Sequence, residues 1–160
     1  MTIKVGDHMP SGSFGIMTKS GPSIISTKDL FTYKKIVLIS VPGAFTPTCS
    51  INHLSGYLKQ SNIIKSSGID LIACMAVNDV FVMHAWGKEL KVDNNITMLS
   101  DGNGDYVKAL GLEQDSRNFG MGIRSQRFSS IIENGKVKYL QVDKPGKFEV
   151  SKVEFILEEL

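Results

Sequence analysis

The chain has 160 residues, 42% of them hydrophobic and 21% charged, a balance that excludes disorder and suits one globular domain spanning 1–160. Eighteen Lys and Arg against sixteen Asp and Glu leave a formal charge of +2, too small and too evenly spread to point to nucleic acid or an anionic membrane. Two cysteines cannot form a disulfide scaffold, no Cys-x-x-Cys is present, and His8, His53 and His84 lack metal-site spacing, so no metal is expected.

In chain order, SFGIMT and PSIIST suggest an N-terminal hairpin. The apolar runs 35–41 and 69–77 are nearly continuous, as in central strands covered on both faces. Between them a helix should start near Pro47 and end before Gly68. A second helix follows Asn78 and Asp79 and runs through DVFVMHAWGKEL; a strand at 96–99 comes next. The short helix DYVKAL should stop at Gly111, where only glycine enters the left-handed region at no cost. Strands 128–132 and 137–142 flank Asn134-Gly135, the strongest short hairpin signal. A last helix should be opened by a capping box, Ser151 with Glu154. This order predicts an α/β fold of the thioredoxin-like type, a central mixed β-sheet flanked by helices with an extra N-terminal hairpin.

The segment MTIKVGDHMP has no signal-peptide character, and the longest strongly apolar stretch, 36–41, is far too short to span a bilayer. The expectation is a reduced, cytoplasmic protein without membrane contact.

The informative segment is Val41-Pro42-Gly43-Ala44-Phe45-Thr46-Pro47-Thr48-Cys49-Ser50, directly after a buried strand. Thr46 is a good N-cap and Pro47 fits the first helical position, so Cys49 falls within the first turn. There the unpaired amides and the positive end of the helix dipole favour a thiolate over a thiol. Thr46 and Cys49, three apart, can face one small space above the strand end, where open α/β sheets bind ligands.

Pro42-x-x-x-Thr46-x-x-Cys49 resembles the active-site signature of the peroxiredoxins, and VPGAFTPTCS is similar to the type II, or type-five, branch. The likeness continues through Val77-Asn78-Asp79, Ala85-Trp86, Leu99 to Asp101, Ala109 to Leu112 and Arg124-Ser125-Gln126-Arg127-Phe128. It implies that Cys49 is the peroxidatic cysteine, Thr46 the hydroxyl that bonds thiolate and peroxide, Pro42 the ring that shields the pocket, and Arg127 the arginine from the neighbouring strand. A thiolate attacking a peroxide oxygen leaves sulfenic acid. Fixed donors aimed at the departing oxygen lower the barrier, and an arginine supplies them without losing its charge.

Among the other candidates, Arg124 is read as supporting the site from behind Arg127. Strand alternation sends Arg127, Ser129 and Ile131 to one face and Phe128, Ser130 and Ile132 to the other. His53, four residues after Cys49, is read as a histidine that hydrogen-bonds within the fold rather than as a base, and the resemblance implies a structural or supporting role near the pocket. Trp86 matches a residue near the family's pocket, although a lone helical Trp is usually core. Cys74 reads as an inert thiol in a buried strand. No cysteine lies in 143–160, where some members carry a resolving one, which departs from the family; the resemblance leaves open a strained or unfolding-linked Cys49–Cys74 bridge, because some relatives have a cysteine at about position 74.

The reading is therefore a thiol peroxidase acting on hydrogen peroxide or organic hydroperoxides. It runs a one-cysteine cycle with glutathione and glutaredoxin, or thioredoxin, as external reductant, and it needs no cofactor. The resemblance implies a homodimer. The rival readings are a peroxide sensor passing its oxidation to a partner, and a silent thioredoxin-fold binding module.

Overall fold

The computed structural model describes the backbone of residues 1–160 and every side chain except those of Cys49, Ser50 and Ile51. A mixed sheet is built from β1 (Ser13–Thr18), β2 (Gly21–Ser26), β3 (Lys35–Ser40), β4 (Leu71–Ala76) and β5 (Thr97–Ser100). After a small sheet of β6 (Glu113–Asp115) with β7 (Ile123–Ser125), the large sheet is completed by β8 (Phe128–Glu133) and β9 (Lys136–Val142). Its order is β2-β1-β5-β4-β3-β8-β9, parallel across β5-β4-β3 and antiparallel elsewhere. The two apolar runs are thus the central strands β4 and β3, each buried along all but its first residue.

Period-2 alternation divides their side chains between two cores. Val37, Ile39, Ile72, Cys74 and Ala76 face one, with Leu54, Tyr57, Met83, Trp86 and Ile156. Ile36, Leu38, Ala73 and Met75 face the other, with Phe14, Leu30, Tyr106 and Leu110. β8 splits in the same way, Ile131 into the first core and Phe128 and Ile132 into the second, as the alternation from Arg127 requires. The helices come from both sides: α1 (Thr27–Phe31), α2 (Ser55–Lys59), α3 (Ser61–Ser66), α4 (Val80–Glu89), α5 (Asp105–Leu110) and α6 (Val153–Glu158).

Local signals place most boundaries. The Asp79 carboxylate accepts the Val82 amide at 2.8 Å and so caps α4. Gly111 ends α5 at φ +71°, and a Cβ there would collide with the Met1 carbonyl. Asn134 (φ +47°) and Gly135 (φ +79°) close the β8–β9 hairpin in the left-handed region.

Three expectations are corrected. The single helix from Pro47 is a π-helix at Thr48–Leu54 followed by α2 and α3, which are separated at Gln60, where φ −98°, ψ 6° is not helical. The Ser151–Glu154 capping box does not form. α6 starts at Val153 with Lys152 at its N-cap, and the Ser151 hydroxyl donates instead to the Asp143 carboxylate. A charged acceptor outcompetes the helix's own amides. Elements α1, β6 and β7 were not anticipated, because three to five residues are too few to show a period. Among the described residues no helix is long and apolar enough to cross a membrane.

Candidate active site

At the carboxyl end of β3 the chain turns outward through residues 42–46. The Ala44 amide donates to Asn78 Oδ1 at 2.9 Å, which ties this loop to the start of α4. Phe45 sits at φ +64°, a left-handed conformation that costs a bulky residue energy and persists only where its surroundings enforce it. Pro47 is helical (φ −55°, ψ −50°) but stands at the N-cap of Thr48–Leu54 with no side-chain cap bond, so Thr46 does not take the capping position expected of it. Its hydroxyl donates back to the Gly43 carbonyl at 2.9 Å. With that proton committed, Thr46 Oγ1 can only accept from a further partner.

Cys49 belongs to the π-helix, a geometry frequent at functional sites. Its thiol, and hence its expected approach to Thr46, lies outside the described side chains. Pro42, Thr46 and Arg127 line one cleft of about 680 Å³, together with Phe119 and Met121 from the β6–β7 connection and Lys144 and Lys147 from the β9–α6 connection.

Arg127 is 8% exposed and is held from several directions. Its Nη1 donates to His53 Nδ1 at 3.0 Å, and its guanidinium lies 5.6 Å from the centre of the Phe148 ring. Because a guanidinium only donates, Nδ1 must be an acceptor, so the imidazole proton is on Nε2. That nitrogen donates to the Ser151 carbonyl at 3.1 Å, a bond the tautomer satisfies. Burial first, and the Arg127 charge second, push the His53 pKa down to about 3. His53 is therefore a neutral acceptor at physiological pH and no general base.

The Ser151 carbonyl also accepts from Tyr57 Oη at 2.8 Å. Ser151 is fixed in turn by Asp143, whose carboxylate takes the Ser151 hydroxyl and amide and the amides of Glu149 (2.9 Å) and Val150 (2.7 Å). Burial opposes the Asp143 charge, but the Ser151 hydroxyl and the three amides outweigh it and hold the carboxyl below its usual range. The Asp143 amide closes the ring by donating to the Arg127 carbonyl at 2.8 Å.

Arg124 lies behind the loop. Its Nε donates to Met121 O (2.7 Å) and its Nη1 to Val77 O (3.0 Å), and a Cβ built on Gly43 would sit 3.4 Å from that Nη1. It packs against residues 42–46 and does not line the cleft. Trp86 is fully buried in the first core and is not among the cleft residues. Cys74 is fully buried in β4, opposite Ile39 and Met98. Among the described residues no group of three His, Cys, Asp or Glu is placed to hold a metal. Sequence reasoning missed Asn78, Asp143, Ser151 and Phe148 as site-building residues. Asn78 carries a signal only as part of the Val77-Asn78-Asp79 resemblance, and Ser151 only as a helix cap.

A family model described as Redoxin matches residues 4–157. Peroxiredoxin-2D of Arabidopsis thaliana is 42% identical over 159 residues, which span 99% of this chain and 98% of that protein. The chain is a peroxiredoxin of the type II branch. Among solved structures it is similar to reduced Prx3 of Vibrio vulnificus in complex with hydrogen peroxide, at 47% identity and TM-score 0.95 over 99% of both chains. It is also similar to the antioxidant protein, a 1-Cys peroxiredoxin, of Plasmodium falciparum, at 33% identity and TM-score 0.91 over 98% of both. As a peroxiredoxin it is a thiol-dependent peroxidase, an oxidoreductase that takes a peroxide and a thiol reductant. The thioredoxin-like fold is that of the matched peroxiredoxins.

Proposed function

We propose that Cys49 is the peroxidatic cysteine and that Pro42, Thr46 and Arg127 form its reaction site. The observation that carries this is the convergence of those three residues on one cleft, beside the helix that contains Cys49. The Cys49 thiolate attacks the terminal peroxide oxygen and the O–O bond breaks. The departing alkoxide or hydroxide takes a proton and leaves as alcohol or water, and the sulfur keeps one oxygen as sulfenic acid. Arg127 stabilises the thiolate and the charge that grows on the leaving oxygen. Thr46 Oγ1 accepts the peroxide hydrogen and so turns the O–O bond toward the sulfur. Pro42 keeps water from the sulfur.

The cycle we infer uses one cysteine. A thiol condenses with the sulfenic acid to give a mixed disulfide and water, and a second thiol displaces Cys49 to give a disulfide of the reductant. Glutathione with glutaredoxin, or thioredoxin, supplies these thiols. Support comes from the burial of Cys74 in the middle strand of the sheet, since a disulfide needs Cα atoms within about 7 Å and properly aimed side chains. Reaching Cys49 from there means opening the best-packed part of the fold. The Plasmodium falciparum relative, itself a 1-Cys peroxiredoxin, is consistent with such a cycle.

A homodimer is part of the same reading, because Phe45, Phe81 and Phe119 are exposed apolar side chains of the kind interfaces cover. Sedimentation should give twice the chain mass. A cytoplasmic location suits a cycle that draws on a reduced thiol pool.

Steady-state turnover of two variants, with peptide mapping of peroxide-treated protein, tests the cycle. Cys49→Ser should abolish turnover and Cys74→Ser should keep most of it. A dominant Cys49–Cys74 peptide, with loss of turnover in Cys74→Ser, would show that Cys74 resolves the sulfenic acid.

A further inference from the structure

The cleft is much larger than hydrogen peroxide requires. At about 680 Å³ it has room for roughly twenty waters at their liquid volume of about 30 Å³ each. Its outer part therefore accommodates whatever the reacting oxygen or sulfur is attached to.

Lys144 and Lys147 both line that space. They occupy the ends of one tight turn: the Lys147 amide donates to the Lys144 carbonyl at 2.9 Å, and Gly146 is at φ +75°. Pro145 then Gly146 is the sequence a type II β-turn demands, and such a turn holds its end Cα atoms within about 7 Å. The base of the turn is pinned by the amides that Asp143 gathers from Glu149 and Val150. Both lysines are thus carried on one turn, with their Cα atoms within about 7 Å of each other.

Among the described residues neither has a carboxylate within ion-pair distance. Of the carboxylates lining the cleft, Asp115 is taken by Arg117 at 2.6 Å, and Glu113 forms no ion pair with a described residue. Of the neighbouring cations, Arg127 is bonded to His53, and Lys152 stands 5.4 Å over the Phe148 ring. Like charges on one turn repel, and an anion received between them lowers that repulsion.

We propose that Lys144 and Lys147 form a carboxylate clamp for the small molecule that reacts at Cys49, a thiol or a hydroperoxide that itself carries a carboxylate. The proposal rests on the reading that Cys49 reacts in this cleft. The clamp acts on capture: cationic groups at a cleft mouth raise the local concentration and encounter rate of anionic reactants, and salt weakens the effect.

The test compares the wild type with the double variant Lys144→Gln/Lys147→Gln, following oxidation and reduction of Cys49 separately by rapid mixing. The reduction arm uses glutathione against its diethyl ester. The oxidation arm uses a carboxylate-bearing alkyl hydroperoxide against its methyl ester. The double variant should lose about fivefold in rate with the acid and nothing with the ester, in at least one arm, and added salt should abolish the difference. Loss in the reduction arm identifies the thiol as the clamped molecule; loss in the oxidation arm identifies the hydroperoxide. Wild-type rates with both acids, or equal losses with acid and ester, overturn the clamp. Hydrogen peroxide, which has no carboxylate, should oxidise both proteins at one rate. A wild type that it does not oxidise at Cys49 would instead overturn the reading of the site beneath the proposal.

Discussion

Arg127 brings a permanent charge into a mostly dry corner of the site, and the value of that charge depends on where it points. Replacing it with Ala should raise the Cys49 pKa and slow peroxide reduction by about two orders of magnitude, roughly 2.7 kcal/mol in the barrier. Arg124→Ala should cost less, because its bonds go to the Met121 and Val77 carbonyls behind the loop. A thiolate-absorbance titration with rapid-mixing rates ranks the two, and a larger effect from Arg124 would reverse their roles. His53 is the positioning residue for Arg127, acting through its Nδ1 acceptor. His53→Gln retains an acceptor on a side chain of similar reach, whereas His53→Phe retains only the ring. The Phe variant should therefore raise the Cys49 pKa and slow oxidation about tenfold, with Gln recovering most of the loss. Equal behaviour of the two variants would mean that the bond to Nδ1 does not orient the arginine.

Among the elements, the β9–α6 connection links the sheet to the site. Asp143 gathers three amides and a hydroxyl from residues 149–151, and Ser151 passes that order to His53 and Tyr57. Asp143→Asn removes the charge and one acceptor, and should cost about 2 kcal/mol in denaturant unfolding at neutral pH. An unchanged midpoint would show that the connection holds without it. This connection was also the hardest part to read from sequence. The central strands were legible because burial on both faces leaves a continuous apolar run at 35–41 and 69–77, and Pro42, Thr46 and Cys49 were legible because they sit within eight residues of chain. The Arg127–His53–Ser151–Asp143 ring joins residues up to 98 positions apart by hydrogen bonds, which leave no spacing or periodicity to detect. For the same reason Ser151-Lys-Val-Glu154 resembles a cap: the local pattern is real, but the competing carboxylate belongs to Asp143, just past the end of β9. The π-helix was equally hidden, since one additional residue per turn hardly alters a short apolar pattern.

For the whole molecule, the buried neutral imidazole makes stability depend on pH. The His53 pKa is about 3 in the folded chain, against about 6.5 when unfolded. Between these values the unfolded chain holds a proton that the folded chain does not, so its contribution is fully present above about pH 6.5 and is lost as pH falls toward 3. The slope approaches about 1.4 kcal/mol per pH unit. Asp143, depressed in the folded state, adds a loss of the same sign only once pH falls below about 4. Thermal unfolding from pH 7 to pH 5 should therefore show a falling Tm in the wild type and a flatter profile in His53→Gln. Parallel profiles would place the acid sensitivity elsewhere.

The central claim is that Cys49 is the atom-accepting thiol of this peroxidase. It is tested most directly by the mass of the protein after one equivalent of hydrogen peroxide, with and without a sulfenic-acid trap, followed by peptide mapping. A single added oxygen, or a single trap adduct, on the peptide containing Cys49 and absent from Cys49→Ser is the predicted result. Modification at Cys74 instead, or undiminished peroxide consumption by Cys49→Ser, would contradict it.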